Sequence, residues 1–184
     1  YEEVYVNVEG NPYSLYIGDD VLTDYSASGY AFGGWFENAN IKSAEKMYMR
    51  DGSFVNSFAN STIETAPPVV VGRINKAFSG CTDLITAPRE ITITPSGNWS
   101  DSGISDYAFA DCTSLTTGPE VITILPNNTC KYMFNGCTSL TSALALPATT
   151  LADYCYLYMF GNCTSLTQVP ELPATTLANN CYQY

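Results

Sequence analysis

The chain says one phrase repeatedly, and an array constrains a fold more than any single motif within it. Phe160-Gly161-Asn162-Cys163-Thr164-Ser165-Leu166-Thr167 restates Phe134-Asn135-Gly136-Cys137-Thr138-Ser139-Leu140-Thr141. Looser copies stand at Phe109…Cys112-Thr113-Ser114-Leu115 and Phe78…Cys81-Thr82-Asp83-Leu84. Successive cysteines of this set lie 31, 25 and 26 residues apart, while each Phe precedes its Cys by three. A constant core with connections of varying length means one supersecondary unit repeated, its insertions confined to one side. Stacking the units puts Phe78, Phe109, Phe134 and Phe160 in one column, Cys81, Cys112, Cys137 and Cys163 in a second, and Leu84, Leu115, Leu140 and Leu166 in a third. A fainter copy, Phe58-Ala59-Asn60-Ser61-Thr62-Ile63, carries Ser61 in the Cys position and reads as a degenerate cap.

Each unit divides into two parts. Tyr107-Ala108-Phe109, Tyr132-Met133-Phe134 and Tyr158-Met159-Phe160 suit a short helical or 3₁₀ segment, because a ring must point inward once per turn. The Cys-Thr-Ser-Leu that follows leads into a short strand containing Pro88, Pro119 or Pro170. Proline cannot donate to a ladder, so strand bonding is interrupted there or ends there. Leu146-Pro147-Ala148-Thr149-Thr150-Leu151 and its copy at 172–177 are expected to be extended and partly polyproline-like.

Seven cysteines raise the question of disulfides, and the register argues against them. Equivalent residues of stacked units sit about 4.8 Å apart with parallel side chains, whereas a disulfide needs converging Cβ vectors. The expectation is two ladders of reduced, buried thiols, the second formed approximately by Cys130, Cys155 and Cys181, with Cys130 offset by one residue. Zinc is disfavoured because the chain has no His and no Cys-x-x-Cys pair.

The N-terminal stretch has a different pattern. Val4-Tyr5-Val6-Asn7-Val8 and Tyr13-Ser14-Leu15-Tyr16-Ile17 alternate around Gly10-Asn11-Pro12, which reads as a β-hairpin. Gly29-Tyr30-Ala31-Phe32-Gly33-Gly34-Trp35-Phe36 reads as a further strand, Lys42 to Met49 as one or two helical turns, and Arg50-Asp51-Gly52 as a turn. The Gly-Tyr-x-Phe-x-Gly-Trp-Phe run resembles the small β-grasp modules called internalin-type B-repeats, over about residues 1–60. A competing register aligns Tyr30-Ala31-Phe32 with Tyr107-Ala108-Phe109 and makes the N-terminal part an eroded repeat. The preferred division is a β-rich, β-grasp-like module at 1–57 and the array at 58–184.

The array phrase itself, Ala-Phe-x-x-Cys-Thr-x-Leu, resembles the BspA-like leucine-rich repeats of bacterial surface proteins over about residues 58–184. The resemblance implies an α+β, right-handed leucine-rich-repeat solenoid with short strands and short helical or 3₁₀ segments, preceded by the small β module. It also implies a secreted or surface-displayed protein used for adhesion. Because Cys181-Tyr182-Gln183-Tyr184 matches Cys155-Tyr156-Leu157-Tyr158 and stops before the next Phe, the 184 residues read as a piece of a longer polypeptide.

Composition narrows the function classes. Hydrophobic residues at 46% against 14% charged argue for an ordered chain. A net charge of −11 with seven Lys and Arg disfavours nucleic acid and anionic membrane as partners. No apolar run reaches the roughly 20 residues of a membrane helix. Without His, the commonest general base and the Ser-His and Cys-His pairings are missing, so the reading is non-enzymatic, with no cofactor and no metal. Asp101, Asp106 and Asp111 fit a solvated edge. Asp19-Asp20 and Asp101-Ser102-Gly103 lack the spacing of a calcium loop, and the sequons at Asn60, Asn98, Asn127 and Asn162 matter only in a eukaryotic secretory pathway.

What remains is surface. The outward strand-face candidates are Thr86, Arg89, Thr117, Glu120, Ser142, Gln168 and Glu171, with Tyr154, Tyr156, Tyr158, Tyr182 and Tyr184 as a second patch able to hold protein or glycan. The expected role is a binding or adhesion module, extracellular or on the cell surface, recognising protein or glycan on a host or neighbouring cell. The alternative is a fibre, spacer or decoration protein of a larger assembly such as a phage particle, there as a homo-oligomer.

Overall fold

The computed structural model describes residues 6–8, 11–14, 33–45, 47–94, 103–123, 130–146 and 148–183. Its dominant motif is a turn segment that recurs at 33–38, 55–60, 75–80, 103–111, 131–136, 153–162 and 179–182. Within a segment the backbone donors alternate in destination. Ala59 and Ser61 N–H groups donate three residues back, to the Asn56 and Phe58 carbonyls at 3.1 and 3.0 Å. The intervening Asn56, Phe58 and Asn60 N–H groups cross to the Asn75, Ala77 and Ser79 carbonyls at 3.1, 2.8 and 2.8 Å. The next segment repeats the alternation, Lys76, Phe78 and Gly80 crossing to Asp106, Ala108 and Ala110. Each tier is thus bonded both to itself and to its successor, which satisfies buried backbone groups without a helix.

A left-handed residue recurs every fourth position. Asn56 and Asn60 have φ of 55° and 56°, Lys76 and Gly80 of 53° and 74°, and Gly103, Tyr107 and Asp111 of 80°, 59° and 62°. Tyr132 and Gly136 follow at 56° and 78°, then Tyr154, Tyr158 and Asn162 at 63°, 52° and 59°. An α- or 3₁₀-helix cannot absorb left-handed residues at that frequency. Midway between two of them, the side chain points inward: Phe58, Phe78, Phe109 and Phe134 are fully buried.

These rings form a continuous stack. Phe36, Phe58, Phe78, Phe109, Phe134 and Phe160 follow one another with centroid separations of 5.0, 5.2, 5.2, 5.2 and 5.8 Å and nearly parallel planes. Each ring contact is worth about 0.5–1.5 kcal/mol beyond the area it buries. Beside the rings runs the thiol column. Cys81, Cys112, Cys137 and Cys163 donate their S–H to the carbonyls of Phe58, Phe78, Phe109 and Phe134, one tier back, at 2.9, 3.1, 3.1 and 3.1 Å. The proton of Cys81 is committed to Phe58, so the Ser61 hydroxyl is the donor in its 3.6 Å contact with the Cys81 sulfur. Leu84, Leu115 and Leu140 close the core without exposure, while Phe160, Cys163 and Leu166 in the last such tier are partly buried.

The remainder of each tier is extended. Parallel bridges link Ser43, Thr65, Thr86, Thr117 and Ser142 in succession, and Thr150 to Thr176. Strands β3 (Tyr48–Ser53), β4 (Val69–Arg73), β5 (Glu90–Ile93) and β6 (Val121–Thr123) form one parallel sheet in that order. Pro68, Pro88 and Pro119 lie between the bridges and the strands, so the ladder breaks where the N–H is missing. Val70, Ile91 and Ile122 face the core from adjacent rungs. Apart from the sheet, β1 (Val6–Val8) and β2 (Asn11–Ser14) pair antiparallel, Val6 opposite Ser14 and Val8 opposite Asn11.

Several readings of the sequence are corrected here. The α+β leucine-rich-repeat solenoid with helical or 3₁₀ segments is not what forms. Among the described residues none is helical, and the parallel strands make one open four-stranded sheet that ends at β6, leaving residues 130–146 and 148–183 with bridges only. The physical reason is the left-handed residue every fourth position, which turns the supposed helical segments into successive turns bonded to the next tier. Gly33 to Phe36 belongs to such a turn and not to a strand, while Gly29 to Phe32 lies outside the described residues. The helical turns expected from Lys42 to Met49 do not form among the described residues, where Ser43 is a bridge partner of Thr65 and β3 begins at Tyr48; Arg50-Asp51-Gly52 lies inside that strand, where the register shifts between Met49 and Gly52. The second thiol column has its one-residue offset at Cys130. The Cys130 N–H donates to the Cys155 carbonyl, as Phe58 does to Ala77, so Cys130 is level with Tyr156 and contacts Ser105 at 3.3 Å.

Candidate ligand-binding face

Two exposed surfaces carry recurrent side chains. The first includes the strand-face candidates. Thr86, Thr117 and Ser142 occupy consecutive rungs of the bridge ladder and are exposed. Arg89 and Glu120 are neighbours across one tier, the Glu120 N–H donating to the Arg89 carbonyl at 3.0 Å, and both are exposed. Gln168 and Glu171 are exposed in a tier without a regular strand. The structure does not gather these seven into one pocket. Around them stand threonine columns that motif reading passed over: Thr141 and Thr167 hydroxyls donate to the Thr116 and Thr141 carbonyls at 3.2 and 3.3 Å, and Thr113 to Thr82 at 3.4 Å. Their protons are spent on the backbone, so this column ties tiers together.

The second surface is the turn face, and its column is aromatic. Tyr107, Tyr132 and Tyr158 stack with centroids 4.7 and 5.0 Å apart and planes within 2° and 7° of parallel. The rings stand two residues before the buried Phe of the same tier, on the left-handed positions, so they point away from the core. The same column continues toward the N-terminus through Lys76, Asn56 and Gly34, whose N–H groups make the equivalent crossing bonds. Lys76 Nζ lies 5.7 Å from the Tyr107 ring centre, and Lys131 Nζ lies 5.2 Å from that of Tyr154. Where the column turns from Tyr to Asn and Gly, the surface sinks. A cavity of about 520 Å³ opens there, lined by Glu37, Asn56, Ala59, Asn60, Lys76, Ser79 and Tyr107.

Of the tyrosine patch read from sequence, Tyr154 is exposed, Tyr158 and Tyr182 are partly buried, and Tyr156 is buried against Tyr182 at 5.6 Å. Tyr184 lies outside the described residues. Tyr107 and Tyr132 were missed as surface groups, although the recurrent Tyr-x-Phe carries the signal: a period of two, ring out and ring in, where a helical period was read. Asp19, Asp20, Asp101, Ser102, Asn98 and Asn127 fall outside the described residues.

The neighbouring columns have different chemistry. All seven cysteines are free thiols. Burial pushes Cys81, Cys155 and Cys163 up to about 11 and Cys130 up to about 12, and it holds Cys112 and Cys137 well above the usual thiol range. A thiol that stays protonated is a poor nucleophile and a poor metal ligand. Among the described residues no group of three or more Cys, Asp or Glu is placed to hold a metal ion, and no helix is long and apolar enough to cross a membrane. No family model matches the chain, and no curated protein or solved structure matches it either.

Proposed function

We propose that the chain is a non-enzymatic binding module, displayed outside the cell, that holds a glycan or protein ligand on its turn face. One observation carries the reading: tyrosines occupy the left-handed positions of this face. A left-handed conformation costs a residue with a Cβ about 1–2 kcal/mol, and Gly, Asn or Asp avoid most of it. The parallel column of the same segments uses those residues throughout: Asn38, Asn60, Gly80, Asp111, Gly136 and Asn162. The chain thus has a low-strain solution at one column and places Tyr107, Tyr132 and Tyr158 at the other. Ring stacking offsets part of that cost; a ready aromatic platform for a partner accounts for its placement outside the core.

The test is binding to immobilised glycans and extracellular proteins by the wild type, by a Tyr107→Asn, Tyr132→Asn, Tyr158→Asn variant, and by an Arg89→Ala, Glu120→Ala, Glu171→Ala variant. Asn suits the left-handed positions, so the first variant keeps its fold. The expected result is at least a tenfold loss with the tyrosine variant and little change with the strand-face variant. Equal binding by wild type and tyrosine variant contradicts the reading.

A further inference from the structure

The cavity at the end of the tyrosine column has a composition that selects a ligand class. Tyr132 covers one face of Tyr107 at 4.7 Å, and the opposite face, turned along the column toward the cavity, has Lys76 Nζ over it at 5.7 Å. Around it are the amides of Asn56 and Asn60, the Ser79 hydroxyl, the Lys76 ammonium and the Glu37 carboxylate. These supply both donors and acceptors on short side chains. One aromatic surface with a ring of mixed donors and acceptors matches a pyranose, whose C–H face lies on an arene while its hydroxyls each give and take a hydrogen bond. The volume of about 520 Å³ falls within the roughly 300–1,000 Å³ typical of small-ligand sites.

Charge narrows the class further. One ammonium and one carboxylate line the cavity, and the chain as a whole carries −11. A phosphate or a polyuronate would meet a repulsive field with a single cation to hold it. From this cavity, and resting on the binding reading above, we infer that the site takes a unit of a neutral saccharide, which takes the place of the Lys76 ammonium over the Tyr107 face and is hydrogen-bonded by Asn56, Asn60 and Ser79.

The column supplies its own blocking variant. Asn56 already has a φ of 55°, close to the 59° and 56° of Tyr107 and Tyr132. Asn56→Tyr therefore places a ring in the cavity without a new backbone conformation. The experiment is affinity electrophoresis of the whole chain through gels containing soluble mannan, xylan, β-glucan or starch, with polygalacturonate as the anionic comparison. Wild type, Asn56→Tyr, Tyr107→Asn and Thr117→Ala are run together, and thermal unfolding checks each fold. The expected outcome is retardation of wild type and Thr117→Ala by at least one neutral polysaccharide, and at least tenfold weaker binding by Asn56→Tyr and Tyr107→Asn. Retardation by polygalacturonate alone, or undiminished retardation of a folded Asn56→Tyr variant, overturns the inference. If the tyrosine face binds array proteins while no polysaccharide retards the chain, the saccharide inference falls and the binding reading stands; if neither binds, both fall.

Discussion

At the scale of single residues, the left-handed positions explain choices that otherwise look arbitrary. Gly136 has a φ of 78°, and a Cβ there would collide with the Asp111 side chain of the preceding tier; Gly80 stands in the same relation to Asn60. Gly136→Ala is therefore expected to destabilise by about 1–2 kcal/mol from conformation alone, with the contact adding to it. Urea unfolding checks this, and Asp111→Gly in the same chain, which fits the left-handed φ of 62° at that position, should recover the contact part but not the conformational part. Tyr156 gives the opposite sign. Its hydroxyl is buried without a hydrogen-bond partner, which costs roughly 1–3 kcal/mol. Tyr156→Phe should raise stability by about 1 kcal/mol, read from the same unfolding curves.

The thiols set a pH limit. In the unfolded chain they ionise near pH 8.5, whereas burial keeps Cys81, Cys155 and Cys163 protonated to about 11 and Cys130 to about 12. Above pH 8.5 the unfolded state binds fewer protons than the folded one, so stability falls as pH rises. The loss runs from about pH 8.5 through 11 to 12 and is absent below that window. Under reducing conditions the urea midpoint should hold between pH 7 and 8 and drop between pH 9 and 10.5; a midpoint unchanged to pH 10.5 contradicts the buried thiol columns.

At the scale of elements, what the chain shows on inspection and what it hides have a common cause. The Phe-x-x-Cys spacing is visible because two inward positions, one in the turn segment and one just after it, are a fixed number of residues apart, while the length changes fall between one such pair and the next. The turn segment itself was not legible as such. Tyr-Met-Phe followed by Asn-Gly-Cys reads equally as a helix and its cap, and the difference lies in N–H groups that find partners in another tier. Local propensity carries no record of a bond whose acceptor is 25 residues away, as for Tyr132 to Leu157, or 24, as for Phe109 to Met133. The prolines were more informative, since a missing N–H interrupts a ladder wherever it falls. Because rings stack between tiers, Phe134→Ala should cost about 3–5 kcal/mol and raise amide exchange in the tiers of Phe109 and Phe160 as well as its own. Exchange confined to residues 131–136 contradicts that coupling.

At the scale of the whole molecule, three kinds of column run side by side: rings and thiols inside, bridged threonines on one flank, tyrosines on the turn face. Repetition makes the interior simple and leaves the exterior to vary, which is how function is placed on such an architecture. The variation is concentrated where Tyr gives way to Lys76, Asn56 and Gly34, and the cavity lies at that change. Everything proposed for the ligand depends on tiers bonded in this register. The most direct test is scalar coupling across hydrogen bonds, measured by NMR between the amide nitrogen of Phe109 and the carbonyl carbon of Met133, and between Phe78 and Ala108. The account predicts both couplings, together with one from the Ala110 amide to the Tyr107 carbonyl three residues back. Couplings from Phe109 and Phe78 to the carbonyls four residues earlier in their own segments would mean helices in place of tiers, and would contradict it.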